Sequence, residues 1–344
     1  MSLDFSLHLS NSVYGVDLGT SSVKIYSQKK NEIKVEKNMI AMRNKEQVLA
    51  VGDDAYEMFE KTPANIEVTY PVAYGKIANL NHVEIVLHSL LYEMDHNAGR
   101  GAVIYFSVPM NMSEIERRAY YALAHAGFMK NPKVYLVERP ICDAIALGIP
   151  ISRTKGSMIV NLGAQSTDFS IIANEQVIIS KTIPIGGKQL NEAICEAVRR
   201  KCNLLIGRKT AKRLKLAMGN FRGEKKEARK IIGVDTLSGL PKEAVVSATL
   251  VNSAMEEEVY TIATELKTFI ERIPPQIAES VAKEGIYLTG GSTRMHGIDK
   301  YIEKFTGYPI RIPSYYDLCT IKGLEELITH KSLHKWAYSI KEKR

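Results

Sequence analysis

What the chain has little of narrows its class first. It holds four cysteines, Cys142, Cys195, Cys202 and Cys319, scattered through 344 residues without metal-ligand spacing. That usage suits buried thiols in a reducing cytoplasm. No apolar run approaches the roughly 20 residues of a membrane-spanning helix. The first residues lack the basic start and apolar core of a secretory signal. The net charge of +8 permits attraction to anionic lipid or nucleic acid, but no nucleic-acid motif accompanies it. A solvated basic surface accounts for the excess, and no nucleic-acid partner is expected. With 45% hydrophobic residues the chain can bury one or two substantial cores.

The residues that are present organise around one stretch, Val13 to Tyr26. Alternating apolar positions run into Asp17; Gly19, Thr20, Ser21 and Ser22 make a small polar turn, and alternation resumes at Val23. This pattern predicts a β-hairpin. Small residues let backbone N–H groups approach an anion, and hydroxyls add donors for phosphate oxygens. A plain hairpin turn explains one such stretch equally well. A second copy shifts the balance. Met158 to Ile172 repeats strand, Asn161-Leu162-Gly163, Ser166-Thr167 and strand, with Asn161 standing 144 residues after Asp17. A unit repeated near the start of each half implies two similar halves facing a shared ligand.

A third element, Gly285 to Arg294, reads as a buried strand that ends in Gly290-Gly291 and opens a helix. Such a turn lets a flat base or sugar lie against the backbone. Two phosphate-grasping hairpins plus this turn resemble the nucleotide site of the actin, Hsp70 and sugar-kinase superfamily.

Along the chain, 1–12 alternates apolar residues and reads as an edge strand, a disordered tail or a small amphipathic peptide. Residues 29–70 are charged, with short strands and a helix near Asp54 to Glu60. Helices are expected over Leu80–Met94, from a Ser113/Glu116 capping box to Ala126, and from Pro140 through Leu147. Strands are expected at Ala102–Pro109 and Val134–Val137. In the second half, helices are expected over Leu190–Cys202, Lys209–Met218 and Asn252–Ile273, with 219–240 a charged loop. Alternating strands and helices argue for α/β halves with mixed sheets.

At finer grain the chain resembles the bacterial actins of the MreB family over nearly its full length. The resemblance is carried by Asp17-Leu-Gly-Thr20, Val51-Gly52, Lys61-Thr-Pro-Ala-Asn-Ile66, Glu116-Arg-Arg118, Ala144 to Pro150, Arg200 to Gly207 and Leu288-Thr-Gly-Gly291. It implies an actin-like ATPase fold, that is, duplicated ribonuclease H-like domains with a nucleotide cleft between them. The implied first half is 1–150 with 29–76 as its small subdomain; the second is 151–318 with 186–251 as its own; 319–344 returns to the first. The resemblance further implies ATP with Mg²⁺, self-association into cytoskeletal filaments governing cell shape, paralogous bacterial actins as partners, and a cytoplasmic location at the inner face of the membrane.

The nucleotide-binding residues it implies are Asp17, Gly19, Thr20, Ser21 and Ser22 in the first half. In the second they are Gly163, Ala164, Gln165, Ser166, Gly187, Lys212, Lys215, Gly290, Gly291, Ser292 and Thr293. Asp17 is expected to reach Mg²⁺ through water. The family's hydrolytic positions are degenerate here. Arg139 stands where a Glu orients the attacking water, Asn161 where an Asp is usual, and Ala164-Gln165 where a Gly-Gly pair is usual. Lys212 replaces a Glu that contacts ribose, and Asn79 and Asn81 replace aspartates. Losing a positioned acid or base costs about 10²- to 10⁴-fold in rate. Slow ATP hydrolysis is therefore expected, unless the neighbouring Glu138 takes the lost role.

The family touches membrane through an N-terminal helix or an apolar loop; the corresponding 95–101 is polar here. The C-terminus instead places Leu333, Trp336, Ala337 and Ile340 at helical spacing among Lys335, Lys341, Lys343 and Arg344. That reads as an interfacial anchor or as a terminal helix docked on its own domain with Trp336 in the core. Three functions stay open: a filament protein with weak hydrolysis, an ordinary filament ATPase with compensated substitutions, and a non-filament nucleotide-dependent enzyme of the superfamily.

Overall fold

The structure is a computed structural model that describes residues 12–96, 101–127, 129–223 and 227–339. The expectations for the N-terminal strand or peptide (1–11), and for Ile340, Lys341, Lys343 and Arg344, lie outside these residues, as does most of the polar 95–101 stretch. The chain divides into two compact units. One takes the chain to Val72, Lys76–Cys142 and everything from Leu324; the other takes Ala73–Gly75 and Asp143–Gly323.

In the first unit, β1 (Val13–Leu18) and β2 (Ser22–Ser27) form the first hairpin, followed by β3 (Glu32–Lys37). Five of six positions in β1 and in β2 are buried, so both faces of this hairpin carry core residues. β4 (Val103–Val108) and β5 (Lys133–Glu138) join parallel to β1, giving the order β3-β2-β1-β4-β5. The helix α1 (Leu80–Met94) places Val83, Val86, Leu87, Leu90 and Leu91 in this unit's core. Asn79, one of the family departures, caps α1 by accepting from the His82 N–H at 3.1 Å. The helix α2 (Glu114–His125) opens on the Ser113/Glu116 capping box read from the sequence. A small sheet of Ile40–Arg43, Gln47–Val51 and Ile66–Thr69 carries a helix at Gly52–Met58.

In the second unit the same plan recurs. β6 (Ser157–Leu162), β7 (Thr167–Ala173) and β8 (Gln176–Ile183) form an antiparallel meander. β9 (Ile286–Thr289) and β10 (Ile310–Arg311) add parallel strands, giving β8-β7-β6-β9-β10. Two sheets with one strand order are the structural form of the duplication. A last strand, β11 (Tyr338–Ser339), returns to pair with β5 of the first unit.

The chain leaves the first unit within α3 (Arg139–Ala146) and re-enters it within a helix at Cys319–Thr329. These changeovers fall at 142/143 and 323/324 instead of the expected 150/151 and 318/319. The side chains explain the shift. Asp143 hydrogen-bonds Asn161, Thr289 and Thr320 of the second unit, whereas Leu324 and Ile328 pack on Gly15 of the first.

Two expectations are corrected. The segment expected as a charged loop contains a strand, Ala228–Asp235, paired with Leu204–Leu205 and Pro241–Ser247. Its apolar residues Ile232 and Val234 face solvent among charges, which hides the period of two. The C-terminal helix is absent among the described residues: Lys331–Trp336 is a short 3₁₀ turn leading into β11. Trp336 is half-buried under the Lys335 ammonium, 4.5 Å from its ring, and is not a core residue.

Candidate functional site

The first turn draws its carbonyls inward. Asn38, fully buried, donates from Nδ2 to Gly19 O at 2.8 Å and from its backbone N–H to Ser21 O at 3.2 Å. A trans peptide points its N–H opposite its C=O, so the Thr20 and Ser22 amides face away from Asn38. A Cβ on Gly19 would sit 2.9 Å from Ser22 O, so the turn needs glycine there.

Asp17, 4% exposed, is the next-to-last residue of β1, just below this turn. Lys24 Nζ lies 2.9 Å from its Oδ2, Ser107 donates to Oδ1 at 2.7 Å, and Arg139 Nε stands 4.0 Å from Oδ1. Burial alone would raise the Asp17 carboxyl. The opposing charges of Lys24 and Arg139, with hydrogen bonds from Lys24 and Ser107, hold it below the usual carboxylate range. Arg139, at the β5–α3 junction, is therefore directed onto Asp17. Glu138, one residue earlier, has Arg117 and Tyr338 as its electrostatic neighbours, and burial raises its carboxyl.

The second turn repeats the backbone arrangement. Gly163 O accepts from the Gly187 N–H at 3.0 Å and from Ser292 Oγ at 3.1 Å, and Ala164 O accepts from the Lys188 N–H at 2.7 Å. The Ala164 amide thus faces away from these partners. A Cβ on Gly163 would meet Ser166 O at 2.8 Å, matching the Gly19 and Ser22 relation. Gln165, where the family has glycine, accepts the Tyr74 N–H at 3.0 Å and so holds the Ala73–Gly75 excursion in this unit.

The glycine turn docks on the same place. Gly290 has φ of 92°, and a Cβ there would lie 2.5 Å from Leu162 O. Only glycine fits both constraints. Gly291–Arg294 forms a 3₁₀ turn, and Thr293 Oγ1 closes it on Gly290 O at 2.6 Å.

α4 (Gly187–Cys202) begins at Gly187, and α5 (Arg208–Met218) brings Lys215 beneath that start, Nζ donating to Gly187 O at 2.7 Å. Burial and then the nearby Lys212 charge pull the Lys215 ammonium down to about 7. Lys212 itself is half-buried.

The structure thus gathers Asp17, the Gly19–Ser22 turn and Arg139 within the first unit. It gathers Asn161, Gly163–Ser166, Gly187, Lys215 and Gly290–Ser292 within the second. The sequence reading missed Lys24, Ser107, Asp143, Thr289 and Thr320. Lys24 and Asp143 were legible as charges inside apolar runs, Val23-Lys-Ile25 and Ile141-Cys-Asp-Ala-Ile145. The hydroxyls carried no signal. Among the described residues, no cluster of His, Cys, Asp and Glu could by itself hold a metal ion, and no helix is long and apolar enough to cross a membrane.

Comparison with known proteins gives the family and the fold. The family model for the MreB/Mbl protein matches residues 11–335. The cell shape-determining protein Mbl of Bacillus cereus is 31% identical over 312 residues, covering 90% of this chain and 93% of that protein. A crystal structure of MreB5 of Spiroplasma citri bound to AMPPNP superposes with a TM-score of 0.88 at 28% identity, over 95% of this chain and 98% of that one. The MamK double helical filament, at 19% identity and a TM-score of 0.76 over 93% of this chain and 99% of that one, shares the fold. The chain belongs to the MreB/Mbl family and has the actin-like fold.

Proposed function

We propose that this MreB/Mbl chain is an ATP-binding bacterial actin that assembles into cell-shape filaments and hydrolyses ATP slowly. The observation that carries the slow step is Arg139, a guanidinium directed at Asp17 where the family places a water-orienting carboxylate. A cation there neither accepts a proton nor polarises a water toward attack. Glu138, next to it, is the alternative acid at this junction; burial raises its carboxyl, and its electrostatic neighbours are Arg117 and Tyr338, not Asp17.

Phosphates fit the two turns. Their carbonyls are tied inward, the amides on the far side of those peptides are donors, and Gly19 and Gly163 let each turn close tightly on its own Ser carbonyl. On this reading Gly19–Ser22 and Gly163–Ser166 hold the phosphates, and Gly290–Thr293 with Lys212 lie by the adenosine. Mg²⁺ fits less tightly at Asp17, whose two oxygens already meet Lys24, Ser107 and Arg139, so Asp17 holds it only through water. Filament protomers are the first partner, with paralogues as the source of turnover. The working location is the cytoplasm, at the inner face of the membrane.

Hydrolysis sets disassembly by favouring the nucleotide state that binds neighbours less. A chain that keeps ATP binding and loses hydrolysis should form sedimentable polymer with ATP or its analogue, and that polymer should persist as ATP is consumed. Sedimentation and electron microscopy over a time course test this. Polymer that vanishes in step with phosphate release contradicts it, as does an absence of ATP binding at millimolar concentration by isothermal titration.

A further inference from the structure

The two sheets place equivalent residues side by side. Asp17 pairs in register with Ser107, and Asn161 pairs in register with Thr289. In the first unit the strand's hydroxyl donates straight to the strand-end carboxylate. In the second, the Thr289 hydroxyl donates at 2.9 Å to Oδ2 of Asp143, a residue of α3 that is 1% exposed. The same oxygen accepts Asn161 Nδ2 at 3.1 Å, and Thr320 Oγ1 donates to Oδ1 at 2.6 Å.

We propose that Asp143 supplies the second turn with the carboxylate that Asn161 does not carry, acting as a positioning residue that fixes the Asn161 amide. Asn161 Nδ2, Thr289 Oγ1 and Thr320 Oγ1 all donate to the Asp143 carboxyl, so the Asn161 amide turns its Nδ2 toward Asp143. Oδ1 then points at the glycine turn, where a Cβ on Gly290 would lie 2.9 Å from it. Asn161 thus presents a neutral acceptor at the turn, suited to a water of the hydrated divalent cation that accompanies a polyphosphate. This assignment rests on the phosphate reading of the two turns.

It also means that Asn161→Asp does not restore the family's acid. It sets two carboxylates about 3 Å apart, and such a pair shares a proton. The test compares the parent, Asn161→Asp, Asp143→Asn and the double exchange, by thermal melting at pH 6 and pH 8 and by titration with a fluorescent ATP analogue in Mg²⁺. Asn161→Asp should melt lower than the parent, with a larger deficit at pH 8 than at pH 6. Asp143→Asn should bind the analogue about tenfold more weakly, the loss typical when a supporting partner is removed. The exchange should recover both properties. Asn161→Asp melting like the parent at both pH values overturns the proposal, as does unchanged binding in Asp143→Asn or an exchange that recovers nothing. If the parent itself fails to bind the analogue, the phosphate reading falls, while the pH-dependent melting still decides the pairing.

Discussion

The turn after Asp17 and the turn after Asn161 each press a glycine against the carbonyl three residues on, and each tie their carbonyls back into their own unit. Their charges differ. Below the first turn a buried carboxylate meets two cations, Lys24 and Arg139. Below the second an amide is held by a buried carboxylate with hydroxyl neighbours. On the proposed reading, backbone that cradles an anion is separable from the acids that activate water: both turns keep the backbone arrangement, while the acid is rearranged at one and countered at the other.

The largest expected effect tests the first turn. Lys24→Met removes the nearest counter-charge of Asp17 and leaves Arg139 at 4.0 Å. Breaking a buried pair in this way costs about 3–5 kcal/mol, so we expect a loss near the lower end, read by chemical denaturation. Because its folded acidity is increased, Asp17 contributes stability above its ordinary carboxylate range and loses it as pH falls through the folded value. That acid-side decline should shrink in the variant. An unchanged denaturation midpoint would mean that the ion pair does not organise the turn.

A smaller effect sharpens the contrast on the second turn, whose buried cation is Lys215. Burial lowers it from 10.5 to about 7. The unfolded lysine binds a proton that the folded one sheds, so this group's penalty is fullest below about pH 7 and fades as pH rises toward 10.5. A polyphosphate brought near should draw the proton back. At pH 8 we expect an uptake approaching one proton per nucleotide, seen as binding heats that change between buffers of different ionisation enthalpy. Lys215→Met should abolish that difference; equal heats in the parent would remove Lys215 from the nucleotide site.

Much of this was legible in the sequence. Both hairpins, the Leu80–Met94 helix and the Ser113 capping box follow from periodicity and local caps, which act over a few residues. Asp17 and Asn161 were visible because they sit at strand ends beside glycine. Their partners were not, because Asp143 meets Thr289 and Thr320 across 146 and 177 residues of sequence. The Ala228–Asp235 strand was hidden by apolar residues that face solvent. The C-terminal periodicity pointed to a helix, whereas pairing with β5 drew Tyr338–Ser339 into a strand.

The central claim is that the guanidinium of Arg139, and not a defect in nucleotide binding, limits hydrolysis. Phosphate release from the parent and from Arg139→Glu, both saturated with ATP, tests it most directly. We expect the parent to turn over slowly and the variant to gain at least about tenfold, part of the 10²- to 10⁴-fold that a positioned acid or base supplies. A folded, ATP-saturated Arg139→Glu that releases phosphate no faster than the parent would contradict the account.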